Sequence, residues 1–228
     1  MTYSHRNLNM KKGARTNGTV LSIGMLLTAL TLMVLAGAGC SILPEAAADP
    51  TRYYVLDDLG SAGASFAPAT AAAGRVAIRS IELPAYLRNS RSMVVRAGDN
   101  EVRYEDFSRW AEPLDAGIQR VLKERLVAVL GADSVVSFPL SAGEIRQWDL
   151  RVRVARCEGS APRAGSPGAL FVASYQIVAA ADGATVRQGE LSVTDLAWDG
   201  RDFGELAQQL SRAVARFADE IAGSMPKR

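Results

Sequence analysis

Alternation of hydrophobic and polar residues predicts strands over much of the chain after position 50. The clearest case is Gln147–Ala155, in which every second residue from Trp148 to Val154 is apolar and the residues between them are charged until Ala155. In Arg75–Ile81 the same pattern places Val76, Ile78 and Ser80 on one side. Further strands are predicted at Tyr53–Leu56, Ser92–Arg96, Glu101–Tyr104, Ala169–Ala179 and Ala184–Val193.

Turn and loop residues separate these strands. The tetrapeptides Ala-Gly-Asp-Asn at 97–100 and Ala-Ala-Asp-Gly at 180–183 predict two hairpins. Small residues at 60–74 and the Pro- and Gly-rich segment Glu158–Gly168 predict two loops, the second of them mobile.

Two segments have the apolar period of an amphipathic helix. The first opens with Pro113, which suits a first helical turn because its missing N–H costs nothing there, and Gly131 suits its C-terminal end. The second runs from about Phe203 to Ala222, with Asp202 and Glu205 spaced as a capping box. The apolar positions of the two helices are Leu114, Ile118, Val121, Leu122, Leu126 and Val129, and Leu206, Leu210, Val214, Phe217 and Ile221.

A helix with a single apolar stripe buries that stripe against another element. The pattern therefore predicts one α/β (α+β) domain at residues 52–225. It consists of a mixed, mostly antiparallel sheet with two long amphipathic helices packed on one face.

The segment before this domain has the pattern of an export signal. Four basic residues and no acidic ones occur in positions 1–39, the run from Val20 to Leu35 is uncharged, and small residues precede Cys40. This predicts a lipoprotein signal peptide at 1–39, acylation of Cys40 and a lipidated tether at 40–51. Gly37 departs from the usual Leu or Val three residues before the cysteine. An uncleaved membrane anchor, ordinary secretion and translation from Met10 are the alternatives.

Removal of the signal changes the charge of the chain. The full sequence has 26 basic and 24 acidic residues, and loss of the four basic residues in 1–39 leaves 22 against 24, a net charge of −2. This balance argues against binding to nucleic acid or another polyanion.

The mature chain also lacks the residues that common catalytic sites need. The only histidine, His5, lies within the signal, which excludes His-dependent triads and the usual zinc and copper sites. Cys157 has no second cysteine to pair with once Cys40 is acylated, and we interpret it as a buried small hydrophobic residue. No cofactor or metal is expected.

The segment from Ile81 to Leu114 carries a resemblance to a known family. Leu83-Pro84, Tyr86-Leu87, a hairpin ending in Tyr104 and the run Arg109-Trp110-Ala111-Glu112-Pro113-Leu114 follow a lipoprotein signal and the Tyr53–Leu56 strand. Together they resemble the ABC-type transport auxiliary lipoproteins, which include PqiC-like components of intermembrane lipid transport.

The resemblance implies a non-enzymatic lipoprotein that faces the periplasm and works with an MCE-domain protein and an ABC permease and ATPase in moving phospholipid. Ser41 after the cysteine favours sorting to the outer membrane. Contact with phospholipid and assembly into a homo-oligomer stay open. The alternatives are a structural or peptidoglycan-associated envelope lipoprotein without a transport role, and a periplasmic enzyme or inhibitor that uses carboxylates.

Five residues are candidates for contact with a partner: Tyr86, Leu87, Arg109, Trp110 and Glu112. Tyr86 and Leu87 follow a proline in a predicted loop, where exposed apolar residues often bind partners; the alternative is that they pack back onto the domain. Trp110 either forms a ligand platform or anchors the first helix against the sheet. Arg109 and Glu112 either form a surface ion pair or contact a neighbouring subunit.

Overall fold

The structure, a computed structural model, describes residues 24–31, 48–57, 74–136 and 138–226. The chain divides between Asp49 and Pro50 into two units. In the first unit the described residues 24–31 form helix α1. No helix within the described ranges is long and apolar enough to cross a membrane. Cys40, most of the predicted signal and most of the tether lie outside the described residues.

The second unit contains eight strands and three helices among its described residues. The strands are β1 (Arg52–Tyr54), β2 (Val76–Glu82), β3 (Ser92–Arg96), β4 (Val102–Trp110), β5 (Val135–Val136), β6 (Trp148–Ser160), β7 (Gly168–Ala179) and β8 (Thr185–Ala197). The helices are α2 (Ala85–Arg88), α3 (Leu114–Leu130) and α4 (Phe203–Ser224), with a 3-10 turn at Ala132–Ser134.

The sheet branches at β6. Along one edge of β6, its first half pairs with β2 and its last two residues pair with β3, both in parallel. Strand β2 continues to β5, and β3 continues to β4 and β1. Along the other edge, β6 forms a long antiparallel ladder with β7, which pairs with β8. Four of the seven pairings in the described chain are parallel, but the long antiparallel ladders contain most of the paired residues, as predicted.

Both long helices pack on one face of this sheet and on each other. In β6 the side chains of Leu150, Val152 and Val154 are buried beneath the helices, while the residues between them are exposed. On α4 the predicted stripe is fully buried, and Phe217 lies 5.8 Å, centroid to centroid, from Phe171 and from Tyr175. The predicted fold class is confirmed.

The helix ends follow the local sequence. Asp202 caps α4, and its carboxylate accepts hydrogen bonds from the amides of Gly204 (2.8 Å) and Glu205 (3.2 Å). Helix α3 begins at Leu114, so Pro113 takes the capping position rather than the first turn. It ends at Gly131, whose φ of 94° suits glycine.

The predicted alternation of β2 is wrong after Ile78. Arg79 is an extra residue that bulges between the pairs Ile78–Leu150 and Ser80–Arg151. Ser80 is therefore exposed on the face opposite Ile78, and Ile81 packs against the core instead.

Other predicted boundaries also move, and the largest changes are in β6, the loop after it and β4. Strand β6 continues beyond Ala155 to Ser160 because a register shift between Val154 and Arg156 restores the alternation. The loop predicted at Glu158–Gly168 therefore shrinks to residues 161–167. Strand β4 extends to Trp110 instead of ending at Tyr104.

Candidate functional site

The sheet face opposite α3 and α4, called the open face below, carries polar side chains in rows across the strands. Two rows cross β6, β7 and β8: Arg151, Gln176 and Gln188 in one, and Arg153, Ser174 and Glu190 in the other. Parallel pairing with β2 adds Ser80 to the first row and Glu82 to the second. These rows line a shallow hollow of the open face.

The hollow contains charged side chains of both signs, which interact only weakly with one another. Arg153 Nε lies 3.3 Å from Glu82 Oε2, and both side chains are more than half exposed. Exposed pairs of this kind contribute about 0–1 kcal/mol. A partner with complementary charges can therefore replace the pair at little cost, which makes the hollow a suitable docking surface.

A buried ion cluster lies further along β6 on the same face. Glu158 is 1% exposed, and its Oε1 accepts hydrogen bonds from Arg96 Nε at 2.7 Å and from Arg156 Nη1 at 3.4 Å. Its Oε2 has no hydrogen-bond partner among the described residues. Arg96 also donates from Nη1 to the carbonyl of Asp99 at 3.0 Å. The carboxylate thus joins β6 to β3 and its hairpin turn.

Tyr86, on the short helix α2, belongs to this cluster. Its hydroxyl donates to the carbonyl of Ala155 at 3.4 Å, and its carbonyl accepts from the Tyr104 hydroxyl at 3.3 Å. The Arg96 guanidinium lies 6.0 Å from the centre of the Tyr86 ring. Burial and the Glu158 carboxylate raise the pKa of Tyr86 to about 12 because both disfavour the phenolate.

A second buried acidic residue of the open face lies at the start of β6. Asp149 is 7% exposed, and both its oxygens accept from Arg146; Nη2 to Oδ2 measures 3.1 Å. Arg79, the bulged residue of β2, places its Nε 3.9 Å from Asp149 Oδ2 and its guanidinium 3.8 Å from the centre of the Phe138 ring. Asp149 is therefore a structural ion-pair partner with little exposed surface.

The structure places Tyr86 and Leu87 on α2, where the sequence predicted a loop. Leu87 is 3% exposed and packs back onto the domain, which was the alternative for this residue. Tyr86 is half-buried and retains an exposed part at the rim of the ion cluster. Of this pair, only Tyr86 has surface that a partner can reach in the folded domain.

The remaining three predicted residues do not form one cluster. Trp110 is 4% exposed and packs in the core at the start of α3, the anchoring role named as its alternative. Glu112 accepts from Arg120, Nη2 to Oε1 at 2.7 Å, instead of pairing with Arg109. Arg109 is exposed and donates from Nε to the carbonyl of Asp106 at 3.1 Å.

Sequence reasoning missed Arg96, Glu158 and Asp149. Asp149 lies at a charged position of the alternating strand, where exposure was the natural expectation. Glu158 fell in the predicted loop because the irregularity at Ala155 hides the continuation of β6. The usable signal was charge of opposite sign on neighbouring strands, although it needs the strand pairing to be known.

Cys157 is a buried small residue, as predicted. It is 1% exposed on the helix-covered face, and burial raises the pKa of its thiol far above the ordinary value. Within the described ranges, no group of three or more His, Cys, Asp or Glu residues is arranged to hold a metal ion.

Known proteins supply the identification. The family model of the ABC-type transport auxiliary lipoprotein component matches residues 54–222. No curated protein matches the chain.

Solved structures support the fold. A DUF330 protein from Xanthomonas campestris superposes with a TM-score of 0.63 at 14% identity, covering 76% of this chain and 93% of that one. An uncharacterized protein gives a TM-score of 0.55 at 19% identity, covering 76% and 97%. The PelC dodecamer protein from Paraburkholderia phytofirmans reaches a TM-score of 0.43 at 17% identity, covering 72% and 95%, a similarity too low to carry an inference about assembly.

The two better superpositions reproduce the mixed sheet with its helices, and the family model spans the described domain from β1 almost to the end of α4. The chain is therefore a member of the ABC-type transport auxiliary lipoprotein family.

Proposed function

We propose that this protein is a non-enzymatic accessory subunit of an ABC/MCE-type system that transports phospholipid between membranes. It is anchored in the outer membrane by acyl chains on Cys40, faces the periplasm and docks onto the MCE-domain protein. Membership of the transport auxiliary family supports the general role. The arrangement of the domain supports the docking role.

The observation that carries the docking proposal is the open face. The two long helices of this chain cover only one side of the sheet, and the hollow on the other side exposes charged side chains on rigid strands. Because the strands fix the backbone, binding has to order only the side chains, at about 0.5–1.5 kcal/mol each. Arg151 and Arg153 are the exposed cations at its centre.

The acidic residues support a binding role rather than catalysis. Glu158, Asp149, Glu112 and Asp219 each accept a hydrogen bond from an arginine in a structural ion pair. A general base needs a carboxylate that can reach the proton of a substrate. These carboxylates are instead used to connect elements of the fold.

The test is recovery of partners by the lipidated protein, extracted from native membranes in mild detergent and analysed by mass spectrometry. The parent should recover the MCE-domain and permease subunits. The double variant Arg151→Glu/Arg153→Glu reverses charge in the hollow and should lose most of that recovery. Arg212→Glu, an exposed site on α4, is the matched control and should behave as the parent.

Other results would count against this assignment. Recovery of peptidoglycan fragments without any transport subunit would favour the structural lipoprotein. Equal loss of partner in the double variant and in Arg212→Glu would remove the open face as the docking surface.

The anchor requires a test of its own. A radiolabelled acyl chain should be incorporated into the parent and not into Cys40→Ala. Incorporation into the variant, or none into the parent, would contradict acylation at Cys40.

A further inference from the structure

An exposed group of apolar and basic residues lies where the domain begins. Tyr53, Val55 and Phe107 are 62%, 51% and 57% exposed, and Arg109 is also exposed. We call these four residues the β1 patch. Large apolar side chains exposed together mark a contact surface more often than a solvated one.

The backbone brings these residues to one margin of the sheet. Strand β1 is an edge strand, and β4 is its only described partner. The pairing sets Tyr53 beside Arg109, and Phe107, two residues before Arg109 on β4, lies on the same face. An edge strand that carries exposed aromatic side chains is a site at which proteins associate, unless a membrane covers it.

The position of the patch along the chain indicates what covers it. Val55 is fifteen residues after Cys40, and the domain begins at Pro50, ten residues after it. Ten residues span at most about 35 Å when fully extended. An acyl chain on Cys40 therefore keeps the start of the domain within about 35 Å of the membrane, which is close enough for β1 to reach the headgroups.

The chemistry of the patch fits a phospholipid headgroup layer. Tyrosine favours the interface between water and hydrocarbon because its ring is apolar and its hydroxyl is polar, and phenylalanine buries its ring on the hydrocarbon side of that interface. Arginine donates paired hydrogen bonds to phosphate. Arg109 donates from Nε to the Asp106 carbonyl, and its Nη1 and Nη2 groups take no part in this hydrogen bond.

We propose that the β1 patch rests on the headgroup layer of the membrane that carries the acyl anchor. This rests on the proposed acylation of Cys40 and adds an orientation to it. Strands β4, β3, β6 and β7 separate β1 from β8, and neighbouring strands lie about 4.8 Å apart. With β1 on the membrane, the far margin of the sheet stands clear of the lipid and is available to a partner.

The test uses a nitroxide label on the mature lipoprotein in vesicles of phosphatidylethanolamine and phosphatidylglycerol. Acylated Cys40 and buried Cys157 do not react, so Val55→Cys supplies one reactive thiol in the patch and Gln188→Cys supplies a matched one on β8. At Val55 the label should lose several-fold accessibility to a water-soluble paramagnetic relaxant and gain accessibility to oxygen. At Gln188 it should change little.

A second variant tests the patch itself. Tyr53→Ser/Phe107→Ser removes two side chains that are mostly exposed, so the fold should persist, as circular dichroism can verify. In that background the Val55 label should return to the accessibility of the Gln188 label. Membrane protection that survives the double substitution would overturn the proposal.

The outcomes separate the docking from the anchor. A mature protein without acyl groups by mass spectrometry would overturn both the proposed anchor and this orientation. An acylated protein whose Val55 label stays water-accessible on vesicles would overturn the orientation alone. Protection that appears only after a partner protein is added would assign the patch to a protein interface and overturn the lipid contact.

Discussion

Glu158 is the less exposed of the two buried charged residues in the described domain. Its carboxylate is fully buried between Arg96 and Arg156, whose side chains keep 17% and 39% of their surface exposed. Removing one member of a buried ion pair costs about 3–5 kcal/mol because the other charge is left without compensation. Partial solvation of both arginines moves the expected cost toward the lower end of that range.

We therefore predict that Glu158→Ala lowers the free energy of unfolding by about 3 kcal/mol, measured by urea denaturation of the mature protein. Arg153→Ala is the control, since it removes an arginine from an exposed pair on the same strand and should cost less than about 1 kcal/mol. Similar losses in the two variants would show that the Glu158 pair contributes nothing beyond a surface pair.

Tyr86 gives a prediction about pH. The pKa of its phenol is raised to about 12, whereas tyrosine in an unfolded chain has a pKa of about 10. Ionisation is thus harder in the folded protein, so the stabilisation is fully present below pH 10 and is lost as the pH rises toward 12. Tyr86→Phe should lose less stability across that interval than the parent.

The measurement is denaturant unfolding at a series of pH values, together with ultraviolet titration of the phenols. The parent-minus-variant absorbance change should have its midpoint near pH 12. A midpoint near 10 would mean that Tyr86 is solvated and that α2 does not hold it against the ion cluster.

At the scale of elements, the close packing of α4 against the sheet depends on one glycine. A Cβ at Gly159 would lie 2.6 Å from the Trp198 ring and 3.2 Å from Leu206. Trp198 cannot move aside freely because its Nε1 donates to the Asp202 carbonyl at 2.7 Å, at the residue that caps α4.

Gly159→Ala should therefore destabilise the protein by about 1–3 kcal/mol through overpacking at this contact. Gly223→Ala is the matched control, since no atom lies within 4 Å of its added Cβ and alanine favours the helix by up to about 1 kcal/mol. Thermal unfolding of the two variants should shift in opposite directions. An unchanged melting temperature for Gly159→Ala would show that Trp198 and α4 pack only loosely against β6.

The elements differ in how far their sequence specifies them. Helices α3 and α4 were predictable because in each segment the apolar period agrees with a signal at an end, Pro113 and Gly131 for α3 and the Asp202 cap for α4. The structure reproduces both helices within a residue or two. Helix α2 and strand β5 are only four and two residues long, so each contains about one period of its pattern, and a repeat cannot be detected. Bulges such as Arg79 reverse the facing of later residues without changing the composition.

Parts of the candidate site could not be predicted for a related reason. The aromatic and acidic residues near α3 were identifiable in the sequence, but their burial depends on which strands pair. Helix α3 places Arg120 beside Glu112 and close to the end of β1. Glu112 therefore pairs with Arg120 rather than with Arg109, and Arg120 also donates to the Leu56 carbonyl at 2.6 Å. The contact with Leu56 joins positions 64 residues apart in the chain, and no local pattern specifies it.

On the scale of the whole molecule, branching of the sheet at β6 divides the sheet into a firm region, in which the strands pair over long ladders, and two margins, in which the strands pair over only two or three residues. Strand β6 is paired along both edges, and the β6–β7 and β7–β8 ladders are the longest in the described sheet. Strands β5 and β1 each pair with one neighbour, over two and three residues. The docking hollow lies on the firm region, whereas the β1 patch lies on a margin.

This difference predicts an order of hydrogen exchange for the protein in detergent. Amides of β6 and β7 should exchange only when the whole domain unfolds, so urea should accelerate them with the full denaturant dependence of global unfolding. Amides of β1 and β5 should exchange faster and depend less on urea, because separating an edge strand of two or three residues exposes far less buried surface than unfolding the whole domain. Mass spectrometry of peptic fragments resolves these segments. Equal rates in β1 and β6 would mean that the sheet opens as one unit, and the rigid docking face and the adaptable margin near the tether would then not be separate parts of the domain.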